Sequence, residues 1–284
     1  MEYKARYSIG EMSRICNISK KALRYYDQID LITSKRQDYN NYRYYTLDSL
    51  LTVPIIKFYK QMGFKLDEMK TFIEGEEANI YTSIEQSFRA KIKELEQEQE
   101  ELRRKHASVK DWRELIVEAK TVIKNNINEV SVKYIEPVDL LYLDQHFDNN
   151  IEAAIINIDF TNHVEKVENE ITGPVIIKFS SHKKRMYKTD QRIRVLQKTL
   201  IPCKEEETKQ MGGCMVASCY HIGPHEEIEA TYRKISRWAK QNDYILGKES
   251  YERYVTDYWT TKKRTKFVTE VMIPATRRDS DLQR

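Results

Sequence analysis

The sequence predicts a multidomain protein of mixed α and α/β class, on three observations. Two short capped helices followed by a polar hairpin make a winged helix-turn-helix of the first 77 residues. A run free of Pro and Gly from Ile84 to Ile116 repeats apolar residues every three or four positions, the pattern of a coiled-coil helix. From about Val130 onward, strand-like and helical runs are mixed, as in an α/β domain. The expected divisions are 1–77, 78–120 and 125–277, with a frayed tail at 278–284.

Composition sets outer bounds. The chain has 284 residues, 32% of them charged, and a formal net charge of +4. The distribution says more than the total. The first 66 residues hold twelve Lys and Arg against six Asp and Glu, which suits a polyanionic partner. No apolar run reaches the length of a membrane span and no signal-like stretch opens the chain. A cytoplasmic protein without a membrane partner is therefore expected. Cys16, Cys203, Cys214 and Cys219 are scattered and form no CxxC pair. No zinc knuckle or disulfide framework is indicated, and no metal or cofactor is assigned.

In the N-terminal module, Ser8 reads as a helix cap with Glu11 completing a capping box. Ile9, Met12, Ile15 and Cys16 supply the apolar face. Asn17-Ile18 turns into a second helix capped by Ser19. There Ala22, Leu23 and Tyr26 share a face and leave Lys20, Lys21, Arg24 and Tyr25 outward. Such a face suits DNA phosphates and sugars; by itself it also fits a solvated amphipathic helix. Tyr26 keeps two readings, DNA-facing or core. Residues 35–45 read as a hairpin or wing presenting Lys35, Arg36, Tyr42 and Arg43. Thr46 caps a helix through Tyr59, Gly63 breaks it, and Phe64 and Met69 belong to a fourth helix. Lys57, Lys60 and Lys65 lie toward its exposed side.

The strings Tyr7-Ser8-Ile9-Gly10-Glu11, Lys21-Ala22-Leu23-Arg24-Tyr25-Tyr26-Asp27, Asn41-Tyr42-Arg43-Tyr44-Tyr45 and Met62-Gly63-Phe64-Lys65-Leu66-Asp67-Glu68-Met69 closely resemble the winged-helix domain of MerR-family transcription regulators. The resemblance covers roughly residues 5 to 75. It implies that Arg24, Tyr25 and Tyr26 belong to the DNA-facing helix region, Tyr42 and Arg43 to the wing, and Lys60 to a helix pair touching the backbone. Double-stranded promoter DNA, and RNA polymerase at the promoter, are the partners it implies.

Along the connector, Ile92, Leu95, Gln99, Leu102, His106, Val109 and Ile116 fall on one seam, and Phe88 extends it backward. A long helix with one apolar seam is not stable alone in water. The simplest partner is a second copy, giving a two-fold homodimer. The family resemblance implies the same, an antiparallel two-helix coil. His106 reads as a tolerated polar packing residue rather than a metal ligand.

In the C-terminal half, Val132–Ile135, Asp139–Asp144, Val175–Phe179 and Ile193–Ile201 read as strands. Lys183, Lys184, Arg185 and Lys188 read as a solvated hairpin edge. A helix is expected around Ile228, Tyr232, Ile235 and Trp238, then strands at Tyr251–Val255 and Phe267–Pro274. The strings Tyr220-His221-Ile222-Gly223-Pro224-His225-Glu226, Tyr251-Glu252-Arg253-Tyr254 and Thr269-Glu270-Val271-Met272-Ile273-Pro274 resemble the GyrI-like effector-binding domain of multidrug-sensing MerR regulators. The resemblance implies a pseudo-duplicated pair of sheet-helix units with a small-molecule inducer between them, and Glu252 and Glu270 as acidic pocket residues.

Alternation on the last strand puts Glu270 and Met272 on one face, Val271 and Ile273 on the other. Tyr142, Tyr187, Tyr220, Tyr254, Tyr258, Trp259 and Phe267 are candidate aromatic walls for a lipophilic cation. The alternative is that each glutamate forms an internal salt bridge and the aromatics are core. His221 and His225 flank Gly223-Pro224 without a third ligand at metal-site spacing; His225 and Glu226 read as helix-starting residues. The expected function is a ligand-responsive dimeric regulator, not an enzyme, that activates transcription by distorting DNA. A GyrI-like hydrolase fused to a DNA-binding module and a constitutive DNA binder are the alternatives.

Overall fold

The computed structural model describes residues 4–36, 42–74 and 79–278. It forms two compact units, Met1–Glu101 and Leu102–Arg284.

The first unit runs β1 (Tyr7–Ser8), α1 (Ile9–Ile15), α2 (Lys20–Gln28), β2 (Ser34–Arg36), β3 (Arg43–Tyr45), α3 (Leu47–Gln61) and α4 (Leu66–Glu74), then enters the 45-residue α5 (Ile80–Lys124). Both expected caps are made. Ser8 Oγ accepts the Glu11 N–H at 3.2 Å while the Glu11 carboxylate accepts the Ser8 N–H at 2.8 Å. Ser19 Oγ accepts the Ala22 N–H at 3.1 Å. Asn17 sits at φ 47° in the turn between the two helices. The strands pair in the order β1-β3-β2. They form the base of the expected wing, whose tip at 37–41 lies outside the described residues.

Met12, Leu23, Tyr45, Val53, Ile56 and Met69 form the centre of this unit's core. Tyr26 joins them at 5% exposure. It belongs to the core because i+4 from Ala22 turns it inward, so it is withdrawn from the DNA-facing set. Phe88 also departs from expectation. It packs against Tyr59, Phe64 and Phe72, with ring centroids 5.3 to 6.3 Å away, and so fastens the start of α5 to the head rather than serving the seam.

The second unit takes the last turns of α5 and continues through β4 (Ser131–Ile135), β5 (Val138–His146), α6 (Ile151–Ile155), α7 (Ile158–Lys166), β6 (Ile171–Phe179), α8 (His182–Met186), β7 (Arg192–Thr199), β8 (Thr208–Met211), β9 (Cys214–Ile222), α9 (Glu229–Gln241), β10 (Tyr244–Leu246), β11 (Ser250–Thr256) and β12 (Val268–Arg277). The sheet order is β4-β9-β12-β11-β6-β7-β5-β8, with β10 on β12. Its central six strands read the same from either end. One strand, a helical crossover and a hairpin (β5, α6–α7, β6, β7) are matched by β9, α9, β11, β12. This is the expected duplication, with β6 and β11 meeting at its centre.

Alternation sorts the side chains into two layers. Leu141, Ile177, Phe179, Val195, Tyr254, Val271 and Ile273 face the layer that holds α6, α7 and α9. Leu140, Ile176, Leu196, Met211, Val216 and Met272 face the other way and bury one another. The sheet curls enough to do this because its two edges meet. β4 turns into β5 and β8 into β9 at adjacent crossings, where Gly213 N–H donates to Ile135 O at 2.8 Å. The end of α5 packs elsewhere on the sheet, with Leu115, Ala119 and Val122 against Val255 of β11 and Val268 of β12.

Several segments differ from the sequence reading, among them β8, β9 and β10, which were given no strand. Residues 151–166, given no element, form α6 and α7, capped by Asn150 and Asn157. Residues 172–174 lie inside β6, which has an irregular register there with Gly173 at φ 73°. The basic run at 183–188 is a short helix capped by Ser181, not a hairpin edge.

At the edge crossing, Gly212 has φ 93° and a Cβ there would lie 2.3 Å from Glu136 O. Both the backbone angle and the close approach require glycine. Gly212→Ala should destabilise the second unit by at least about 2 kcal/mol, read from urea unfolding followed by tryptophan fluorescence. A loss below about 0.5 kcal/mol would mean that the crossing yields freely.

Candidate functional site

The head presents its basic residues as the helix phase requires. Ser19, Lys20, Lys21, Arg24 and Tyr25 are exposed on α2. Tyr25 and Lys60, 35 positions apart, line one groove of about 570 Å³ with Lys65 and Lys70. On the wing, Arg36 and Tyr42 are exposed, and Arg43 Nε lies 3.3 Å from the Asp27 carboxylate. That ion pair ties the base of the wing to α2, so Arg43 both orients the hairpin and leaves part of its fork outward.

On α5, Ile92, Leu95, Leu102, Val109 and Ile116 are 42 to 69% exposed, and Gln99 and His106 are exposed beside them. This is a surface that one chain leaves uncovered.

The nine residues expected around one ligand do not converge. On β11, Glu252 stands opposite Val271, and its neighbour Arg253 opposite Glu270. The two glutamates therefore lie on opposite faces of the sheet. Tyr254 and Phe267, fully buried, share the helix-covered side with Glu252, as does Tyr258. Tyr220 and Tyr142 go with Glu270 to the other layer. Tyr187 and Trp259 are 64% and 59% exposed. The single acidic, aromatic pocket is corrected to two separate clusters, and the reason is the period of two along a strand.

The first cluster surrounds Glu252, which is completely buried. Arg185 reaches it from α8 with Nε at 2.7 Å and a second nitrogen at 3.2 Å. The hydroxyls of Tyr232 and Tyr254 donate to the same carboxylate at 2.9 and 2.6 Å. The Arg185 guanidinium lies over the rings of Phe179 and Phe147, 4.7 and 5.9 Å from their centres. Burial opposes ionisation of Glu252, but Arg185 and the two tyrosine hydroxyls outweigh it and hold the carboxyl below the ordinary glutamate range. Beside Tyr254, His225 is 1% exposed and stacks on Phe267 at 4.8 Å. Its Nδ1 lies 3.2 Å from Thr269 Oγ1, while its buried Nε2 has no hydrogen-bond partner among the described residues. Burial pushes its pKa down to about 4.

The second cluster surrounds Glu270, 1% exposed. It accepts from Ser218 Oγ at 2.5 Å and from Arg253 Nε at 2.9 Å, and pairs with Lys133. Burial works against its charge, and Arg253 and Lys133 more than offset that. Arg253 also binds Glu118 of α5, to which the Tyr220 hydroxyl donates at 2.7 Å. This cluster fastens the end of α5 to the sheet.

The sequence reading missed Arg185, Tyr232, Phe147 and Phe179 at the first cluster, and Arg253 and Glu118 at the second. Arg185 was hidden among three other basic residues. Only its phase on a helix not foreseen separates it from the exposed Lys183 and Lys184. Trp259 does line a slot of about 200 Å³ between α6, α7 and the sheet, with Trp112, Phe160 and Val175. Among the described residues, no group of three or more His, Cys, Asp or Glu is placed to hold a metal ion, and no helix is long and apolar enough to cross a membrane.

A head with a basic capped helix and a wing, one long helix, and a duplicated sheet-helix domain with a buried ionic and aromatic cluster define a regulator built from a reader and a sensor. The family model for a GyrI-like small molecule binding domain matches residues 128–276, and that for a MerR family regulatory protein matches residues 8–45. The chain belongs to the MerR-type regulators that carry a GyrI-like small molecule binding domain. It is 22% identical over 279 residues to the multidrug-efflux transporter 2 regulator of Bacillus subtilis (strain 168), covering 90% of this chain and 91% of that one. It is 46% identical over 90 residues to the multidrug-efflux transporter 1 regulator of the same organism, covering 30% of this chain and 32% of that one. Among solved structures, a cryo-EM structure of an EcmrR–DNA complex has a TM-score of 0.47 and 18% identity, covering 96% of this chain and 100% of that one.

Two outcomes follow from the Glu252 cluster. Glu252→Gln leaves a buried guanidinium with no counter-charge, and should destabilise the second unit by about 3–5 kcal/mol in urea unfolding. A near-neutral result would remove the pair from the core of the domain.

The second outcome is a pH dependence. His225 has a folded pKa of about 4 against an unfolded value of about 6.5. The unfolded chain therefore binds the extra proton between these values, and His225 makes stability fall as pH drops from about 6.5 through about 4. Asp257, raised by burial to about 6, acts oppositely: its contribution is present at low pH and is lost as pH rises through about 6. His225→Phe should remove the acid loss, worth up to about 3 kcal/mol, and leave the Asp257 slope. Unfolding curves between pH 4 and 7 that are parallel for the two proteins would refute the assignment.

Proposed function

We propose that this chain is a dimeric transcription regulator that binds a palindromic promoter operator through its N-terminal head and responds to a small lipophilic, cationic or aromatic inducer in its C-terminal domain. The observation that carries this reading is the sharing of α5. The same helix begins against the head through Phe88 and ends against the sensor sheet through Leu115, Ala119, Val122 and Glu118. A change in the sensor that moves the end of α5 thus acts on an element that the head also grips.

In the head, Lys20, Lys21, Arg24 and Tyr25 on α2, Arg36, Tyr42 and Arg43 on the wing, and Lys60 at the neighbouring groove form the DNA-facing set, with Ser19 holding the helix start. Arg and Lys would neutralise phosphates, while Tyr25 and Tyr42 would pack on sugar. The exposed seam Ile92, Leu95, Gln99, Leu102, His106, Val109 and Ile116 would meet a second copy, whose two-fold symmetry matches a palindrome. RNA polymerase at the same promoter reads the resulting DNA distortion.

The inducer chamber is the Glu252 cluster. It joins a buried carboxylate, a ring of aromatics and an unpaired imidazole nitrogen at the centre of the duplicated sheet, which is the chemistry that attracts a flat cation. Glu270 is assigned instead to holding α5. A hydrolytic role is disfavoured by the same contacts. A general base must be poised near the working pH, whereas both glutamates are bound by arginine and held as carboxylates below that range.

Arg24→Ala tests the DNA-facing assignment. Operator affinity should fall by about tenfold and the salt dependence should flatten by roughly one ion, with helix content unchanged by circular dichroism. Full-strength binding by this variant in an anisotropy titration would reject α2 as the reading helix.

A further inference from the structure

Arg185 is held as a guest would be held. Its guanidinium is 5% exposed, forked on the Glu252 carboxylate and laid over two phenylalanine rings. A carboxylate, itself oriented by two phenol hydroxyls, and two aromatic faces converge on one flat cation, which is the recognition set for a delocalised organic cation. Yet this cation is delivered by a nine-residue strap between β6 and β7. The strap's ends are pinned together by Asp190, which accepts from Ser180 Oγ at 2.9 Å and from the Ser181 N–H at 3.3 Å. Between the pins, Lys183, Lys184 and residues 187–189 are exposed, and Lys188 has φ 57°. Inward, the strap is held by Arg185, by Met186 packed on the apolar cluster beneath α9, and by His182, whose N–H donates to Lys248 O at 2.8 Å.

We infer that Arg185 is a tethered stand-in for the effector: its guanidinium occupies the effector cation's place in the Glu252 chamber, and the 181–189 strap withdraws it as the effector enters. The inference rests on the reading of the Glu252 cluster as the inducer chamber. It adds that the chamber is self-occupied, so that the effector competes with a group of the chain itself. The intrinsic affinity is then reduced by the fraction of molecules in which the strap has let go. A guest fits if it is flat, carries a delocalised positive charge and presents aromatic surface to Phe147 and Phe179. The spare Nε2 of His225, across Tyr254 from the carboxylate, offers one further hydrogen bond.

The test uses the full-length chain and Arg185→Ala. Benzamidinium, a flat aromatic cation, should raise the melting temperature of Arg185→Ala saturably, and neutral benzamide should not. Adding Glu252→Gln to Arg185→Ala should abolish the effect. In parallel, rhodamine 6G binding followed by anisotropy should be at least about tenfold tighter for Arg185→Ala than for the unaltered chain. Equal rhodamine affinity in the two proteins would overturn the stand-in while leaving a cation-binding chamber in place. Failure of both proteins to bind either cation, with neutral analogues binding both, would overturn the stand-in together with the cationic-inducer reading. If Arg185→Ala does not fold, Asp190→Ala carries the test, because it removes both acceptors that pin the strap and leaves the residues around Glu252 unchanged. Rhodamine affinity should then rise by about threefold or more, and an unchanged value would overturn the inference.

Discussion

The domain depends on β11 carrying opposite charges on adjacent residues. Glu252 and Arg253 follow one another, so the pleat sends them to opposite faces of one sheet. Each is drawn into low dielectric, where an unmatched charge is very costly. Each must therefore find a counter-charge on its own side. Glu252 finds Arg185 beneath the helical layer, and Arg253 finds Glu270 and Glu118 on the other. The placement of α8 and of the end of α5 follows from these two requirements as much as from apolar packing. Apolar contact is satisfied by many arrangements of similar volume; a forked guanidinium on a buried carboxylate is satisfied by few.

The same alternation brings the proposed inducer site and the anchor of α5 close together. The Glu252 cluster lies on one side of β11 and the grip on α5 on the other, one residue apart in sequence. Val255 of the same strand belongs to the apolar contact with Leu115, Ala119 and Val122. A shift of β11 that accompanies exchange at Glu252 has a direct route to Arg253 and Val255, and hence to the last turns of α5. No chain of distant contacts is required.

How much of this the sequence revealed depends on the length of the signals. The head was legible almost throughout. Its capping box at Ser8 and Glu11, the cap at Ser19 and the break at Gly63 are local interactions between residues a few positions apart. The seam on α5 was legible because it repeats over many turns, and Phe88 was misassigned because the same spacing continues into the head's aromatic cluster. Six strands of the second unit were found, though not β8, β9 or β10, and the face division of β12 was correctly drawn, since a period of two needs only a few residues. The helices α6, α7 and α8 were not found. At five to nine residues they carry too few turns for a 3.6-residue period to stand out, and, unlike α1 and α2 of similar length, they were not marked by a recognised Ser cap. The site suffered most from this. Knowing that Glu252 and Glu270 face opposite ways needs only the register of β11 on β12, but register is a contact between segments and is not written in either one. Knowing that Arg185 is buried needs α8, and without it four basic residues read as one solvated edge. The internal salt bridge that had been weighed against a ligand pocket is the arrangement found at both glutamates.

A buried ion pair at the proposed inducer site would have a consequence for selectivity. A guest that brings only positive charge gains at Glu252 what Arg185 already supplies, and it must also lose its hydration. Small inorganic cations and ammonium groups are strongly hydrated, whereas guanidinium is weakly so, so they compete poorly with a group held in place by the chain. A guest with aromatic surface gains something further, about 25 cal/mol for each Å² of apolar area removed from water. About 60 Å² of additional contact is then worth roughly a tenfold advantage, and a two-ring dye presents several times that. On the proposed reading, the tethered guanidinium would set a threshold of hydrophobicity rather than of shape. Such a sensor would answer to many chemically unrelated lipophilic cations and pass over the abundant hydrophilic ones, without a pocket fitted to any single molecule.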